Sequence, residues 1–584
     1  MNRMRIRIRL IIGLSVVMMA GAYCSKKNEE SFSGAYKPAV RTYVKFTGSA
    51  PVPRFGSAGT LVKFKVAGLD SLANLPAGQV QFLINGIEAK IDKMSPADST
   101  ITVVIPDNAS SGSATIVVND RMYFGPQFKV NGGIWLDSTF NKLANDQQGN
   151  IVLGAGPNSM VNRIYLEEIG AVQNIFIMGY FGRYNNETTY MATSATGSIP
   201  SSTSYLLKLN PTTGAVSTDF AKGTGPNGPI NGMLPLTGFS GYLLYGNFNT
   251  YTRRDGVNNM TRMYPTGQMD SVVQNVYNPN PLEPEYNVDT LPAFIGGYNG
   301  PVLRAFLDKN RRIISIGNFG FHTKNLYDQS TYTTVVRQNT YMRDISAMDQ
   351  DGNLDTTFNY DNTRGLLLKG ANAGITDAVQ IRDGSSPYGK IIVVGIFTRF
   401  NDIPVQRIFM LDQNGQPDPS FQAAANGPIA RITYNATTRK LLVIGTFTTF
   451  NGRDTPSGIA MLNEDGTTDP AFVMGDMQRT GNAGGNWITY AGQLNDGKIV
   501  IGGNFGRYRA PGTTDYVTRQ NFMILNADGT LAAGLNNSGA MNGVINDILE
   551  TKSGTKRALL IVGSFSLFDN ETVSNMIRIG LEPK

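Results

Sequence analysis

The pattern of apolar and polar positions changes twice along the chain. Residues 38–131 alternate with a period of two. Val62, Phe64 and Val66 interleave with Lys63 and Lys65, and Val80, Phe82 and Ile84 repeat the pattern. Ile101, Val103 and Ile105 follow, then Ala114, Ile116 and Val118. Such alternation marks half-buried antiparallel strands. Asn85-Gly86, Pro106-Asp107-Asn108 and Ser111-Gly112 supply the turns between them. These short strands predict an Ig-like sandwich.

From residue 132 onward the unit is longer. An apolar run ends in Gly-x-Phe, with an aromatic or His three residues after the Phe. The copies are Gly179/Phe181/Tyr184, Gly246/Phe248/Tyr251, Gly317/Phe319/His322, Gly395/Phe397/Phe400, Gly445/Phe447/Phe450, Gly503/Phe505/Tyr508 and Gly563/Phe565/Phe568. Their mean spacing is about 64 residues. Most copies are followed by a strand, an Asp/Asn-Gly turn and Leu-Asp-x-x-Phe-like sequence, as in Met348–Phe358, Leu411–Phe421 and Leu462–Phe472. About four strands per unit at this period predict propeller blades. The last unit lacks its Leu-Asp-x-x-Phe segment, and Leu136–Phe140 supplies one at the front. The prediction is an all-β chain with a seven-bladed propeller over 132–584. One blade mixes N- and C-terminal strands, which leaves no open edge. A β-solenoid of the same units is the alternative.

The first 23 residues are different again. Arg3, Arg5, Arg7 and Arg9 precede the apolar run Leu10–Ala20, which is too short to span a bilayer. This reads as a signal peptide over 1–23. Gly21-Ala22-Tyr23-Cys24 resembles a bacterial lipobox, with Cys24 as the lipidated residue, although Gly21 and Tyr23 depart from the pattern. Ala20-Gly21-Ala22 also fits ordinary cleavage after Ala22 and free secretion. Cys24 is the only cysteine in the chain, which favours lipidation. Residues 24–37 read as a linker. Ser25–Glu30 resembles the acidic export signal that follows the lipidated Cys in Bacteroidota surface lipoproteins. The resemblance implies the outer face of the outer membrane, with a periplasmic or secreted protein as the alternative.

Composition narrows the chemistry. Charged residues are 16% against a usual ~25%, and Gly numbers 65, which suits strands and tight turns. The formal charge is +7, and four of the arginines fall in the signal peptide. What remains is too small for a nucleic-acid footprint. One Cys and one His, Cys24 and His322, leave no disulfide framework and no multi-His metal site. No cofactor and no resident metal are expected.

Two family resemblances follow from these residues. Gly68, Val80–Phe82 with Asn85-Gly86, Ile101–Pro106, Ser111–Val118 and Phe128–Val130 resemble the IPT/TIG family, which implies a spacer or stalk. The repeat resembles the delta-60-repeat β-propellers, best at Val393–Phe421. Together the chain resembles a family of Bacteroidota lipoproteins that join these two parts. That resemblance implies fold and location and carries no activity.

Several segments look chemical. Asp349, Asp351, Asn353 and Asp355 resemble a calcium loop, but the position-12 Glu is replaced by Tyr360, and other units carry the same turn. Gly223–Gly228 satisfies G-x-G-x-x-G, with Pro226 and Pro229 blocking the helix that motif needs. His322 fills an aromatic slot of the repeat. Two insertions, 277–300 and 323–341, are rich in Tyr and Asn. Flat rings stack on sugars and amides pair with hydroxyls, so Tyr286, Tyr298, Tyr327 and Tyr332, with Trp487, are candidate glycan-binding residues. Trp135 is assigned to packing. The expected function is non-enzymatic binding of a glycan by a surface lipoprotein. A protein–protein scaffold of the envelope is one alternative. A glycosidase or lyase using carboxylates such as Glu283, Glu285 and Asp289 is the other.

Overall fold

The computed structural model describes residues 44–583 except 73–74, 76–77, 146–150, 170–171, 362, 364–365 and 480–486. The signal peptide, Cys24 and the linker lie outside the described residues. Among those described, the chain is built of strands with three single-turn 3-10 helices.

The N-terminal strands are β1 (Lys45–Phe46), β2 (Phe55–Gly56), β3 (Leu61–Ala67), β4 (Val80–Ile84), β5 (Ile87–Ser95), β6 (Thr100–Val104), β7 (Gly112–Val118) and β8 (Arg121–Val130). They hydrogen-bond in the order β1-β3-β6-β5-β4-β7-β8-β2. This is one folded-over sheet rather than two separate ones. The reason lies in β5, whose register shifts between Ile91 and Lys93. Its first half pairs with β4 and its second with β6. A bulge lets one strand turn the corner of a sandwich. The alternation seen in sequence is realised in β3, where Val62, Phe64 and Val66 are buried and Lys63 and Lys65 face out. Phe64 meets Phe82 at 4.9 Å, Phe128 at 6.1 Å and Phe46 at 6.3 Å between ring centroids. These rings come from both halves of the folded sheet and close its core.

Beyond residue 160, seven antiparallel sheets recur among the described residues, each with its first strand beside its second and its second beside its third. The first strands begin at Val161, Ile230, Val302, Ile375, Ile429, Trp487 and Val544. Each touches the next, and the last touches the first, so the sheets succeed one another around a ring. The Gly of Gly-x-Phe ends the second strand against the opening of the first. A Cβ at Gly179, Gly246 or Gly563 would come within 2.0–2.4 Å of a carbonyl oxygen there. Only glycine permits that approach. The Phe two residues on is buried in all seven copies and packs between neighbouring sheets.

The fourth strand of most sheets shrinks to a single bridge after the turn, such as Leu411 with Pro417. The seventh sheet is completed from the front of the chain. β9 (Ile134–Leu136) pairs with Met576–Leu581, matching Leu136 to Ile579 and Ile134 to Leu581. One turn on, Asp137 accepts from Arg578 Nε at 2.7 Å, and both residues are 2% exposed. Arg578 also donates to the carbonyls of Pro211 and Thr212 and lies 4.4 Å over the Phe140 ring. Burial alone would raise the Asp137 carboxyl. The Ser553 and Thr139 hydroxyls and the Arg578 charge outweigh it and hold the group below its usual range.

The sandwich is docked on the ring rather than held off it. Asn537 joins the two: its side-chain oxygen accepts from Ile134 N–H, and its amide donates to Val130 and Ile134 carbonyls. Its backbone carbonyl accepts from the Ser111 N–H and hydroxyl.

Replacing Arg578 with Met strands a buried carboxylate. We expect a loss of about 3–5 kcal/mol in urea unfolding. The double variant Asp137→Leu/Arg578→Met should recover most of it, because neither charge then remains buried.

Candidate functional site

The repeat carries a set of side-chain latches, and these must be set aside before any group is read as functional. Tyr184, Tyr251 and Tyr508 each donate a hydroxyl to the carbonyl of a turn glycine: Gly214 at 2.6 Å, Gly267 at 2.6 Å and Gly529 at 2.5 Å. His322 stands in the same slot, with Nε2 at 3.0 Å from the Gly352 carbonyl. Its ring packs edge-on to Tyr298 and is 1% exposed. His322 is therefore a latch in another chemical form, donating from Nε2. Where the slot holds Phe450, the next residue makes the bond instead, from Asn451 to Gly466.

A second latch uses asparagine between units. Each side-chain oxygen of Asn158, Asn227, Asn299, Asn372, Asn426 and Asn542 accepts two successive backbone N–H groups of the loop after Gly-x-Phe. The repeated Asp residues are equally committed. Asp355, Asp418 and Asp469 cap their own turns and pair with Arg312, Lys390 and Lys440. Asp349 caps the turn resembling a calcium loop, and Asp351 pairs with Arg262 at 2.8 Å. Among the described residues no group of three or more His, Cys, Asp or Glu gathers to hold a metal.

The two insertions form one small module. The first makes a hairpin of Ser271–Asn275 with Val288–Pro292, the second of Phe321–Asn325 with Arg337–Tyr341. They share a core of Val276, Leu291 and Tyr327. This divides the candidate aromatics. Tyr286 and Tyr332, one from each insertion, meet edge to face at 4.8 Å and remain 38% and 44% exposed. Tyr327 is buried, donates to the Pro292 carbonyl at 2.8 Å, and has its pKa pushed up to about 12 by burial. Tyr298 is buried, stacks on Phe319 at 3.9 Å and bonds Ser346 at 2.7 Å. Both rings are thus held by packing, and of the two only Tyr298 is among the residues lining the cleft described next. Trp487 opens the first strand of the sixth sheet, its backbone paired with Asn504. Its side chain lies outside what is described.

Beside this module is a cleft of about 580 Å³ that no sequence motif announced. It lies between the second and third units, and the second insertion walls one side. Asn247, Asn249, Asn258, Asn299, Arg337 and Asn339 line it. Arg337 Nε donates to Asn258 Oδ1 at 3.1 Å, and Asn258 donates to Asn325 at 3.0 Å. Asn339 accepts from Thr323 through its oxygen, and its residue is exposed. The walls thus offer amide groups that both donate and accept, with one guanidinium among them. Tyr286 and Tyr332 do not line this cleft.

The axis of the ring is also polar. Every first strand is bulged near its start, and charged groups follow the bulge in five sheets. Arg304 meets Asp377 at 2.6 Å, and Arg163 lies 3.7 Å from Asp377 and 3.8 Å from Asp547. Arg431 bonds the Asn546 carbonyl and sits 5.1 Å over Tyr490. These groups tie sheets across the axis. An alignment of the seven first strands at their bulges would have shown them, since all five stand two residues after the apolar residue that precedes the bulge.

His322 and Lys222 are among the buried groups that are strongly perturbed. Burial lowers the His322 pKa to about 4, and it lowers the Lys222 pKa to about 7. Lys222 Nζ donates to the Ser204 carbonyl at 3.2 Å. Neither lines any cleft described above. The carboxylates considered for glycoside cleavage fare no better: Glu283 and Glu285 are exposed on the first insertion, and Asp289 pairs with Arg254 at 3.1 Å.

The His322 shift makes a pH prediction. Its folded pKa lies below the unfolded ~6.5, so the neutral ring contributes stability that is full above pH 6.5. That contribution falls away as pH drops from 6.5 to about 4, by up to about 3 kcal/mol. Urea midpoints at pH 4.5 and 7 should show it. His322→Tyr, which restores the hydroxyl latch, should flatten the slope in that window.

Comparison with known proteins was made against this geometry. Residues 19–126 match the family model described as "Domain of unknown function (DUF5008)". Residues 389–421, 438–472 and 494–531 match "Domain of unknown function (DUF5122) beta-propeller". No curated protein matches. Among solved structures, the WD40 β-propeller domain of Doa1 is similar at 12% identity and TM-score 0.32, covering 73% of this chain and 93% of that one. An auxiliary nutrient binding protein from Bacteroides thetaiotaomicron aligns at 11% identity and TM-score 0.30, covering 92% and 97%. One of the same description from Bacteroides ovatus aligns at 11% and 0.26, covering 92% and 97%. The chain is an all-β protein with a β-propeller, as the second family match states.

Proposed function

We propose that this chain is a non-enzymatic surface lipoprotein whose propeller captures a glycan. The amide-lined cleft of about 580 Å³ beside the insertions carries the reading. Neutral sugars offer hydroxyls that donate and accept at once, and Asn side chains answer both roles without charge. The exposed Tyr286–Tyr332 pair of the two insertions adds an aromatic edge outside the cleft. The perturbed groups His322 and Lys222 are packed away from the clefts, and the repeated carboxylates cap turns. No carboxylate lines the amide cleft itself.

Binding of the soluble protein Ser25–Lys584 to a broad glycan array tests this. We expect hits in the micromolar range for neutral polysaccharides. The variant Asn247→Ala/Asn339→Ala should weaken them at least tenfold, and Tyr286→Ala/Tyr332→Ala by about threefold. A blank array would overturn the glycan reading. It would favour a protein partner, for which the exposed Val273, Tyr277 and Leu282 of the first insertion offer an apolar surface.

Anchoring rests on the basic start, the short apolar run and the sole cysteine, Cys24. No helix among the described residues is long and apolar enough to cross a membrane. Cys24→Ser should move the protein from the membrane fraction to the soluble one. Protease added to intact cells should digest the unaltered protein if it faces outward.

A further inference from the structure

The amide-lined cleft has a counterpart elsewhere in the ring. A cleft of about 330 Å³ opens between the seventh and first units. Asn158 and Asn186 of the first unit wall it, with Asn542, Ser564, Ser566 and Ser574 of the seventh.

The two clefts occupy the same positions of the repeat. Ser564, Phe565 and Ser566 stand where Asn247, Phe248 and Asn249 stand, around the Phe of Gly-x-Phe. Asn542 and Asn158 are the inter-unit latches that correspond to Asn227 and Asn299. Val573, Ser574 and Asn575 correspond to Val257, Asn258 and Asn259. Hydrogen bonds fix this alignment. Asn575 accepts from the Phe565 N–H and donates to the Pro157 carbonyl. Asn259 accepts from the Phe248 N–H and donates to the Tyr298 carbonyl. Pro157 and Tyr298 each directly precede a latch asparagine.

The second cleft has polar groups to spare. In the latches Asn227, Asn372, Asn426 and Asn542, the side-chain nitrogen donates to the side chain that follows the Phe, which is Asn249, Thr398, Thr448 or Ser566. Beside Asn158 that position is Gly182, with open space where a Cβ would stand. The Asn158 oxygen holds the Gly182 and Arg183 N–H groups, and its exposed nitrogen has no partner among the described residues. Nor do the Asn186 amide and the Ser564 and Ser574 hydroxyls have a side-chain hydrogen bond there. These groups both donate and accept. No charged side chain lines the cleft. Its volume falls at the lower end of the about 300–1,000 Å³ usual for small-molecule sites.

The next boundary shows what a different lining looks like. Between the third and fourth units a cleft of about 420 Å³ occupies the corresponding place. There Arg343 and Asp344, an ion pair at 3.4 Å, replace Asn258 and Asn259. That lining is charged, so the neutral clefts described here number two.

We propose that the cleft between the seventh and first units is a second saccharide site, for the same neutral class of sugar as the amide-lined cleft. The inference rests on the glycan reading of that cleft and makes the propeller bivalent. Two sites on one rigid ring raise the avidity for a polysaccharide without any new contact.

The test is calorimetry on the soluble protein Ser25–Lys584 with four neutral trisaccharides: cellotriose, maltotriose, mannotriose and xylotriose. At least one should bind at two per chain. Ser564→Tyr, a change at an exposed position, should fill the second cleft and lower the count to one. Ser564→Ala/Ser574→Ala leaves every backbone latch in place and should weaken one of the two sites about tenfold. Asn247→Ala/Asn339→Ala should weaken the other and spare this one. Binding at one per chain that is weakened by Asn247→Ala/Asn339→Ala and untouched by both serine variants overturns the second site and leaves the glycan reading standing. If no trisaccharide binds, the bivalent site is overturned, and the polysaccharide array decides the glycan reading by itself.

Discussion

A ring of sheets has to close, and here closure depends on three residue pairs between β9 and the final strand. Contact of each first strand with the next, and the packing of each Gly-x-Phe phenylalanine between sheets, needs a neighbour on both sides. Without β9 the seventh sheet would expose an unpaired edge, which is a liability for any sheet. The buried Asp137–Arg578 pair sits at this join and draws in carbonyls of Pro211 and Thr212 from the first unit. The closure is therefore a polar network at the seam between the chain's two ends. Closing through the front of the chain also fixes where the sandwich sits, since only Asn131–Gly133 separate β8 from β9.

What could be read from sequence follows the range over which each signal acts. The alternation in β3 and β4, the recurrence of Gly-x-Phe and the front-to-back completion of the last unit are local patterns, and each has its structural counterpart. His322 was legible for the same reason, because six aromatics in the same slot set its expected role. Tyr298 and Tyr327 were not legible. The insertions look like loops in sequence, yet together they need a core, and Tyr327 supplies it. The Tyr298 ring is taken up by Phe319. The axis charges were invisible because their groups come from units far apart in the chain, such as Arg163 and Asp547.

The abundance of asparagine has to be read with care. Six inter-unit asparagines each hold two backbone N–H groups, and others tie neighbouring loops together. Composition alone would credit these amides to ligand binding. Bond by bond, most are structural, and the argument for a sugar in the cleft beside the insertions narrows to the exposed Asn247 and Asn339. The same discounting applies to acids, since Asp355, Asp418 and Asp469 serve their own turns.

Asn537 has a mechanical consequence. A pull on the N-terminal side of the chain reaches the ring through the short link into β9. By itself that link would load three strand pairs one after another, as a zipper is opened. Asn537 holds Val130, Ser111 and Ile134 at once, so tension is shared between the sandwich, the closing strand and the 531–537 turn. The seam then resists as a group of bonds sheared together rather than one pair at a time.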